Sequence, residues 1–329
     1  MEYDIVVIGG GPAGLTAALY GLRAGKNVLV LEGKALGGQI VNAQDVQNYP
    51  GIASISGVEL TKNMYEQVMN FGGEVKYEKV IKIEKGEEEE KSDEKEVMSG
   101  RKKEARTGRS FLVKTDGGEY RARVIIIATG AENKKLGLAR EQELTGRGIS
   151  YCATCDGNFY KGKSVVVIGG GNTALEDAIY LSDVAKKVYL VHRRNEFRGD
   201  KANVEKVKKC DNVELVLEAN AKEIMGENKV EGLKVVFNDG REEILDVDGV
   251  FIAVGYTPQN EMFADMVKLD NDGYIEACES AQGGDRVHTS VKGIYVAGDA
   301  RAKDLKQLTT AVSDGSIAAT TAVKEMENA

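Results

Sequence analysis

Residues 4–32 read DIVVIGGGPAGLTAALYGLRAGKNVLVLE, and this stretch decides the fold. An apolar run leads into a glycine-rich turn, an amphipathic helical segment and a second apolar run, which is the pattern of a βαβ unit. Residues 164–192, SVVVIGGGNTALEDAIYLSDVAKKVYLVH, repeat it without a gap, so that Gly9 aligns with Gly169. One such motif is a weak signal, but two in this context predict two Rossmann-like dinucleotide-binding domains.

The small residues of each turn have separate physical roles. Gly9 permits the tight turn, Gly11 lets a pyrophosphate approach the backbone, and Gly14 allows the helix to pack closely on the strand. The corresponding residues of the second copy are Gly169, Gly171 and Ala174. Each helix N-terminus would then bind phosphate through its free N–H groups and its dipole.

The two copies differ at the end of the second strand, where the choice of nucleotide is made. The first copy ends in Glu32, a carboxylate that can accept hydrogen bonds from ribose hydroxyls and repels a 2′-phosphate. The second ends in HRRNEFR, where clustered guanidinium groups can bind a 2′-phosphate. The basic residues are His192, Arg193, Arg194 and Arg198. We expect one dinucleotide without a 2′-phosphate and a second that is NADP(H), although a solvated basic patch is the alternative.

The bulk properties exclude several classes of protein. A chain of 329 residues suffices for two ordinary domains, and its net charge of −8 argues against a nucleic-acid surface. The start MEYDIVVIGG has acidic residues where a signal peptide needs basic ones, and no apolar run approaches the ~20 residues that cross a bilayer. We expect a cytoplasmic protein with no nucleic-acid or membrane partner, in which a disulfide is catalytic or redox-sensing.

Two of the four cysteines, Cys152 and Cys155, stand in SYCATCDGN at residues 150–158. This spacing brings two sulfurs within bonding reach and can lower a thiol pKa, which favours a redox-active pair. Zinc would need four ligands, but there is no second C-x-x-C and the chain has only two histidines, so we predict no metal site. Asp156 is either a solvated loop acid or N-cap, or the general acid that protonates a leaving thiolate, and we favour the acid. The isolated Cys210 and Cys278 are expected to be packing or inert thiols.

The motifs together resemble one family. GGGPAG, GGQI, QNYPG, ATGA, CATCDG, GGGNTA, HRRNEFR and VAGDA are similar, in order and spacing, to those of low-molecular-weight bacterial thioredoxin reductases, over nearly the whole chain. The resemblance implies an α/β fold of two Rossmann-like domains, each with three β/β/α layers, the second inserted into the first. The FAD-binding domain would comprise residues 1–132 and 258–329, and the NADPH-binding domain residues 133–257.

The resemblance also assigns residues to the two cofactors. Those expected to bind FAD are Gly9, Gly11, Pro12, Ala13, Gly14, Glu32, Gly37, Gly38, Gln39, Asn48, Val80, Ala128, Thr129, Gly130, Gly298, Asp299, Lys306, Gln307 and Leu308. Those expected to bind NADPH are Gly169, Gly171, Asn172, Thr173, Ala174, His192, Arg193, Arg194 and Arg198. Lys306 stands where the family commonly has arginine. The charge-dense residues 84–109 and residues 279–285 are departures that look like insertions.

The implied reaction passes hydride from NADPH to FAD, and then electrons to the Cys152–Cys155 disulfide. From there they reach the disulfide of thioredoxin or a related small protein, with rotation of the NADPH domain between steps. Cys155 would lie nearer the flavin and Cys152 would attack the partner disulfide. A homodimer is implied as well.

Three alternatives stay open from the sequence. One is a flavoprotein of this fold reduced by ferredoxin, and another is a dithiol oxidase that uses oxygen. Those relatives tend to lose the second glycine turn or the arginine cluster, and both are present here. The third alternative is a non-enzymatic redox sensor.

Overall fold

A computed structural model of the chain describes residues 2–43, 45–86, 110–279 and 285–328. Most of the predicted insertion at 84–109, and residues 280–284 of the second one, therefore lie outside the described residues. The chain divides into two compact units. Unit 1 comprises Met1–Asp45, Ser54–Glu132 and Pro258–Ala329, and unit 2 comprises Val46–Ala53 and Asn133–Thr257. Residues 46–53, which the sequence placed in the first domain, group with unit 2.

Helices and strands alternate along much of the described chain. In chain order they are β1 (Glu2–Ile8), α1 (Pro12–Arg23), β2 (Val28–Leu31), α2 (Gly57–Asn70), β3 (Glu74–Lys76), β4 (Val80–Lys85), β5 (Phe111–Thr115), β6 (Glu119–Ile127), β7 (Ala131–Asn133), β8 (Ile149–Ser150), α3 (Ala153–Asp156), β9 (Ser164–Gly169), α4 (Asn172–Ser182), β10 (Lys187–His192), α5 (Lys201–Val207), β11 (Val213–Leu217), β12 (Ala219–Met225), β13 (Gly232–Phe237), β14 (Glu242–Leu245), β15 (Gly249–Ala253), β16 (Tyr256–Pro258), β17 (Ile294–Val296) and α6 (Leu308–Glu327). Short 3-10 turns cover Gly38–Asn42, Gly157–Tyr160, Glu261–Phe263 and Gly298–Ala300.

Unit 1 is built around a mixed sheet in the order β3-β2-β1-β6-β5-β4, with β17 also paired to β6. Strand β1 pairs in parallel with β2 and β6, whereas β4, β5 and β6 form an antiparallel meander. The β1 residues from Tyr3 to Ile8 are buried, because both faces of this strand are covered. One face packs on helices α1 and α6, and the other face packs against the β4–β5 region and the segment around Phe263.

Unit 2 repeats this plan with a second parallel sheet, in the order β11-β10-β9-β15-β8. Helix α4 packs on one face through Leu175, Ala178 and Leu181. The antiparallel sheet β12-β13-β14 packs on the other, where Leu233 and Val235 are fully buried. Each unit therefore has a β/β/α arrangement, and the predicted fold class is confirmed.

Of the four points at which the chain passes between the units, two lie in β7 and β16. These two strands form a two-stranded sheet. They coincide with the ATGAEN and VGYTPQ segments of the sequence. Within the described residues, no helix combines the length and the apolar character that crossing a membrane requires.

Candidate active site

The glycine turn after β1 is held by close backbone packing. Gly9 has a φ of +108°, and a Cβ on it would overlap the carbonyl oxygen of Ala128 at the end of β6. A Cβ on Gly14 would overlap the carbonyl oxygen of Gly9, so helix α1 could not approach the strand with a larger residue there. A Cβ on Gly11 would point into open space. The open side of Gly11 is where a ligand phosphate can approach the chain.

The N-terminus of α1 is available to an anion. Gly11 is its N-cap, Pro12 follows at the first helical position, and no side chain caps it. Gly37 donates its N–H to the Gly10 carbonyl oxygen over 2.8 Å, which holds the next loop against the turn. The Glu32 carboxylate accepts hydrogen bonds of 2.7 Å from the N–H groups of Gly10 and Lys34. Glu32 is thereby fixed beside the turn, and each of its oxygens retains a lone pair for a ribose hydroxyl.

The Gly298–Ala300 turn lies beside the start of α1, since a Cβ on Gly298 would come within 2.7 Å of the Ala13 side chain. Asp299 Oδ1 is buried and accepts no hydrogen bond from the described residues, although it lies 3.2 Å from Lys303 Nζ. Burial raises the pKa of Asp299, against the opposing effect of Lys303. A buried carboxylate oxygen that lacks a donor fits a ligand hydroxyl at this place.

A charged network fixes this turn to helix α6. Arg301 donates to both carboxylate oxygens of the buried Asp314, over 2.9 and 2.8 Å. Lys303 Nζ donates to Asp314 Oδ2 over 3.0 Å and is itself almost fully buried. The N–H of Gly298 also donates to Asp314. No motif in the sequence marked Asp314 as the centre of this network, because Asp314 lies 11 to 16 residues from Lys303, Arg301 and Gly298.

The predicted contacts at the start of α6 are partly engaged with the protein. Lys306 Nζ donates to the Lys303 carbonyl oxygen over 2.9 Å and lies 4.4 Å from the centre of the Tyr274 ring. Burial lowers the pKa of Lys306. Gln307 is the N-cap of α6 and forms a capping box with Thr310. Leu308 begins the helix, whose dipole supplies partial positive charge at this end.

The remaining predicted FAD residues differ in their surroundings. Thr129 donates to Asn260 Oδ1 over 3.0 Å, and Asn260 donates in turn to the Ala300 carbonyl oxygen, which links the ATG segment to the Asp299 turn. Asn260, fully buried, was missed by sequence reasoning. The Val80 side chain is buried in the core. The others are Gln39, exposed in the 3-10 turn with Gly38; Gly130, with a φ of +69°; and Asn48, which lies in the segment of unit 2.

The second glycine turn copies the first with one substitution. A Cβ on Gly169 would overlap the carbonyl oxygen of Ala253 at the end of β15, as Gly9 does with Ala128. A Cβ on Gly171 would again meet nothing within 4 Å. Ala174 takes the position of Gly14 and is fully buried. The N-terminus of α4 has no side-chain cap, and Thr173 in its first turn is exposed.

The arginine loop is fastened to this turn. The N–H of Arg198 donates to the Gly170 carbonyl oxygen over 2.7 Å. The Asn172 and Asp200 side chains are hydrogen bonded over 3.0 Å, and the N–H of Asp200 donates to Asn172 Oδ1 over 2.6 Å. Arg193, Arg194 and Arg198 are exposed and have no ion-pair partner in the part of the chain that the structure describes. Three exposed guanidinium groups beside an uncapped helix N-terminus form a site for a phosphate.

His192 has a different place from the arginines. It is 6% exposed, stacks on Phe197 with 5.4 Å between ring centres, and lies against Gly170. Burial lowers the pKa of His192, and the neighbouring arginines lower it further, so the imidazole is neutral at pH 7. The arginines, and not this histidine, supply the positive charge of the loop.

Cys152 and Cys155 form a disulfide at the start of α3. Cys155 is exposed and Cys152 is half-buried. Asp156 caps no helix with its side chain; its Oδ2 accepts a 2.6 Å hydrogen bond from the buried Ser150 hydroxyl. Burial raises the pKa of Asp156, and the Ser150 hydrogen bond opposes that effect. The site therefore holds a disulfide whose second cysteine is exposed, beside a carboxyl whose pKa is raised.

The residue before Cys152 is anchored to a buried carboxylate. Tyr151 donates to Glu141 Oε1 over 2.7 Å, and Glu141 also accepts the N–H groups of residues 136–138. Burial raises the pKa of Tyr151, as does the bond to Glu141. Neither Glu141 nor Ser150 was found from the sequence, because their partners are brought together only in the folded loop.

The other two cysteines do not approach the redox pair in sequence or fill the core. Both are free thiols; Cys210 is half-buried and Cys278 is exposed, so of the two expected roles, packing or inert thiol, Cys278 keeps only the second. The described ranges contain no group of three or more His, Cys, Asp or Glu side chains arranged to hold a metal ion.

Comparison with known sequences now places the chain. The sequence model described as pyridine nucleotide-disulphide oxidoreductase matches residues 3–315. This chain belongs to that family. Its enzymes are flavin- and pyridine-nucleotide-dependent oxidoreductases, and the prediction of an enzyme is confirmed.

Similar proteins carry a narrower name. The chain is 42% identical over 328 residues to a thioredoxin reductase of Listeria monocytogenes, covering 99% of this chain and 94% of that protein. It is 42% identical over 319 residues to one of Bacillus subtilis, covering 96% and 92%. The crystal structure of thioredoxin reductase from Streptococcus pyogenes aligns with a TM-score of 0.86 and 38% identity, over 99% of this chain and 98% of that one. The resemblance stated from the motifs is confirmed.

Proposed function

We propose that this enzyme reduces the disulfide of thioredoxin, or of a related small protein, with electrons from NADPH. The electrons pass through FAD and then through the Cys152–Cys155 pair. One observation carries the proposal. A single chain holds two dinucleotide turns and, in unit 2, a C-x-x-C disulfide whose second cysteine is exposed. The names of its relatives, which are thioredoxin reductases, support the same reaction.

Unit 1 fits FAD. Gly11 leaves room for a pyrophosphate at the uncapped start of α1, and Glu32 is fixed beside it to accept ribose hydroxyls. The buried Oδ1 of Asp299 lacks a donor that a ribityl hydroxyl can supply. The N-terminus of α6, with Lys306 and Gln307, offers positive potential to the flavin ring.

Unit 2 fits NADPH. The pyrophosphate would bind at Gly171 and the start of α4, and Arg193, Arg194 and Arg198 would bind the 2′-phosphate. An NADPH site of this completeness favours an NADPH-fed enzyme over a ferredoxin-fed one or an oxygen-using oxidase. A redox sensor would have no need of it.

The chemistry divides between the cofactor and the chain. When bound, flavin accepts hydride from a nicotinamide and supplies two electrons to a disulfide. With two protons, those electrons break the Cys152–Cys155 bond and leave two thiols. One thiolate then attacks the partner disulfide, and the other cysteine displaces the reduced partner from the mixed disulfide. Asp156, whose pKa is raised by burial, supplies the proton to the leaving thiolate.

The order of attack follows the resemblance. We propose that Cys152 attacks the partner disulfide and that Cys155, which lies nearer the flavin, resolves the mixed disulfide. In the oxidised pair Cys155 is an exposed residue and Cys152 is half-buried, and the Cys152 sulfur accepts the N–H of Cys155 over 3.2 Å.

Three further features belong to the proposal. Unit 2 rotates between steps, since the flavin must meet nicotinamide and then the sulfur pair. We propose that this rotation takes place about the two-stranded sheet of β7 and β16, where the chain crosses between the units. The enzyme is a homodimer and works in the cytoplasm, as the resemblance implies.

An anaerobic titration tests the function. The purified protein is expected to be yellow, NADPH to bleach its flavin far faster than NADH does, and oxidised thioredoxin to restore the colour. A colourless protein would contradict the FAD assignment, and equal rates with NADH would contradict the role of the arginines. Flavin that is bleached but not restored by thioredoxin would point to a different disulfide partner.

A further inference from the structure

Ser150 is the last residue of β8 and stands two positions before Cys152. It is 4% exposed, and its hydroxyl oxygen has three neighbours. Asp156 Oδ2 lies at 2.6 Å, the Cys152 carbonyl oxygen at 3.2 Å, and the Cys152 N–H donates to the hydroxyl over 3.1 Å. One hydroxyl therefore joins the backbone of a redox cysteine to the carboxyl that follows the other.

A hydroxyl has one proton to donate and two lone pairs. When Asp156 is ionised, Ser150 donates to its Oδ2. When Asp156 is protonated, the carboxyl O–H can donate to Ser150, whose own proton then turns to the Cys152 carbonyl oxygen. In both states the Cys152 N–H keeps its acceptor. No buried polar group is left unpaired in either state, which avoids the usual cost of changing a buried charge.

We propose that Ser150 is a positioning residue that allows Asp156 to release and regain its proton during the exchange of the Cys152–Cys155 dithiol with a protein disulfide. The proposal rests on the function given above. In this proposal the Ser150 hydroxyl changes between donating a hydrogen bond to Asp156 and accepting one from it. The hydroxyl does not contact the reacting sulfurs.

The proton balance shows what is asked of Asp156. An enzyme thiolate attacks the partner disulfide, forming a mixed disulfide, and the released partner thiolate takes the Asp156 proton. The second enzyme thiol gives its proton to Asp156 and, as a thiolate, breaks the mixed disulfide. The second partner thiolate takes that proton in turn. Two electrons and two protons reach the partner, the enzyme disulfide re-forms, and Asp156 has lost, regained and again lost a proton.

The surroundings of Asp156 leave this work to Ser150. Burial raises the pKa of Asp156, the Ser150 hydrogen bond lowers it, and no charged side chain of the described residues contributes an opposing effect of note. Tyr160 faces Asp156 from the following 3-10 turn; burial, helped by the charge of Asp156, raises the pKa of Tyr160 to about 12. Tyr180 of α4 packs against the intervening Gly157. Tyr160 is neutral through the working range, so Ser150 is the group whose hydrogen bonds change when the charge of Asp156 changes.

The test compares Ser150→Ala with Ser150→Thr, which keeps the hydroxyl. A hydrogen bond to a charged group corresponds to about one pH unit or more in the pKa of that group. In the oxidised protein, carboxyl ¹³C NMR should show the Asp156 midpoint raised by about one unit in Ser150→Ala and close to wild type in Ser150→Thr. The alkaline limb of thioredoxin reduction should move upward by a similar amount, with the rate of flavin reduction by NADPH unchanged.

Asp156→Asn supplies the second variant, in case Ser150→Ala does not fold. It should remove the alkaline limb from the pH profile of thioredoxin reduction. An alkaline limb with the wild-type midpoint in this variant would overturn the proposal. A normal Asp156 midpoint in folded Ser150→Ala would overturn it as well, as would an equal shift in Ser150→Thr. A wild-type protein that cannot reduce thioredoxin would contradict the proposed function, while the NMR titration would still decide the role of Ser150.

Discussion

The two βαβ copies have the same backbone and different surroundings at the end of the second strand. In unit 1, Glu32 is folded back onto its glycine turn and accepts two backbone N–H groups. In unit 2, the strand end continues into a loop tied to the turn through Arg198 and Asp200, with exposed arginines outward. The turn sets where a dinucleotide binds, and the strand end sets which one. Among the described residues, only unit 2 also contains a redox disulfide. It therefore combines a dinucleotide-binding turn with a pair of reactive sulfurs.

The largest effect is expected from removing either sulfur of the redox disulfide in unit 2. Cys152→Ser and Cys155→Ser should each reduce thioredoxin turnover by a factor of about 10³ or more, because dithiol exchange needs both sulfurs. Flavin reduction by NADPH, followed by stopped-flow absorbance, should stay within about twofold of wild type. With thioredoxin lacking its resolving cysteine, Cys155→Ser should accumulate a mixed disulfide at Cys152. Accumulation at Cys155 in Cys152→Ser instead would contradict this order of attack.

The two copies differ in the space available at the third small residue of the turn, which is Gly14 in unit 1 and Ala174 in unit 2. Gly14→Ala should destabilise unit 1 by up to ~3 kcal/mol and reduce bound flavin sharply, because the new Cβ overlaps the Gly9 carbonyl oxygen. Ala174→Gly, the reverse change in unit 2, should cost only about 1 kcal/mol. Flavin content by absorbance and unfolding by calorimetry measure the two effects. Equal effects of the two variants would show that the turns are packed alike.

The arginine loop tests the choice of nucleotide. Arg193→Ala with Arg194→Ala should raise the KM for NADPH by about 10- to 100-fold, because charge-assisted hydrogen bonds to a phosphate are lost. The KM for NADH and the flavin content should change little. Lys201→Ala, at the exposed start of α5 beyond the loop, is the matched control. An equal loss with NADH would mean that the double variant disturbs the turn itself.

The smallest effect concerns pH and Asp177, a half-buried acid of unit 2. Burial, with a contribution from Glu176, raises the pKa of Asp177 to about 7. The folded state thus binds this proton more tightly than the unfolded state, and stability falls as pH rises from about 4 to about 7. Asp177→Asn should therefore gain on wild type between about pH 5 and pH 8, reaching about 1–2 kcal/mol at the higher pH. Thermal unfolding at the two pH values measures it, with the exposed Asp183→Asn as control.

Glu325 in unit 1 gives the opposite trend. Burial acts to raise the pKa of Glu325, but hydrogen bonds from Tyr295 and His288 outweigh it and the pKa is lowered. This contribution to stability is present above pH ~4.5 and is lost as pH falls through the lowered pKa. A gain for Asp177→Asn that is independent of pH would remove the contrast between the units.

Much of the molecule was predictable because its determinants are local. Gly9 and Gly169 predict tight turns, the apolar runs around them predict buried strands, and the two-residue spacing of Cys152 and Cys155 allows a disulfide. The positive charge of the arginine loop can be read directly from the sequence. What escaped prediction depends on distant partners. Lys303 and Arg301 are held in place by hydrogen bonds to Asp314. Asn260 links Thr129 to Ala300, which lie 131 and 40 residues from it in the sequence.

By itself, the sequence determined two nucleotide-binding units and a sulfur pair in the second. Strand, glycine turn and helix are set by hydrophobic period and backbone freedom within about thirty residues. Only the tertiary structure decided that His192 is buried and neutral, that Asp299 Oδ1 is buried beside Lys303, and that Ser150 bonds Asp156. Those properties arise from burial and from hydrogen bonds whose donors and acceptors meet after the loops have folded, so no local pattern records them.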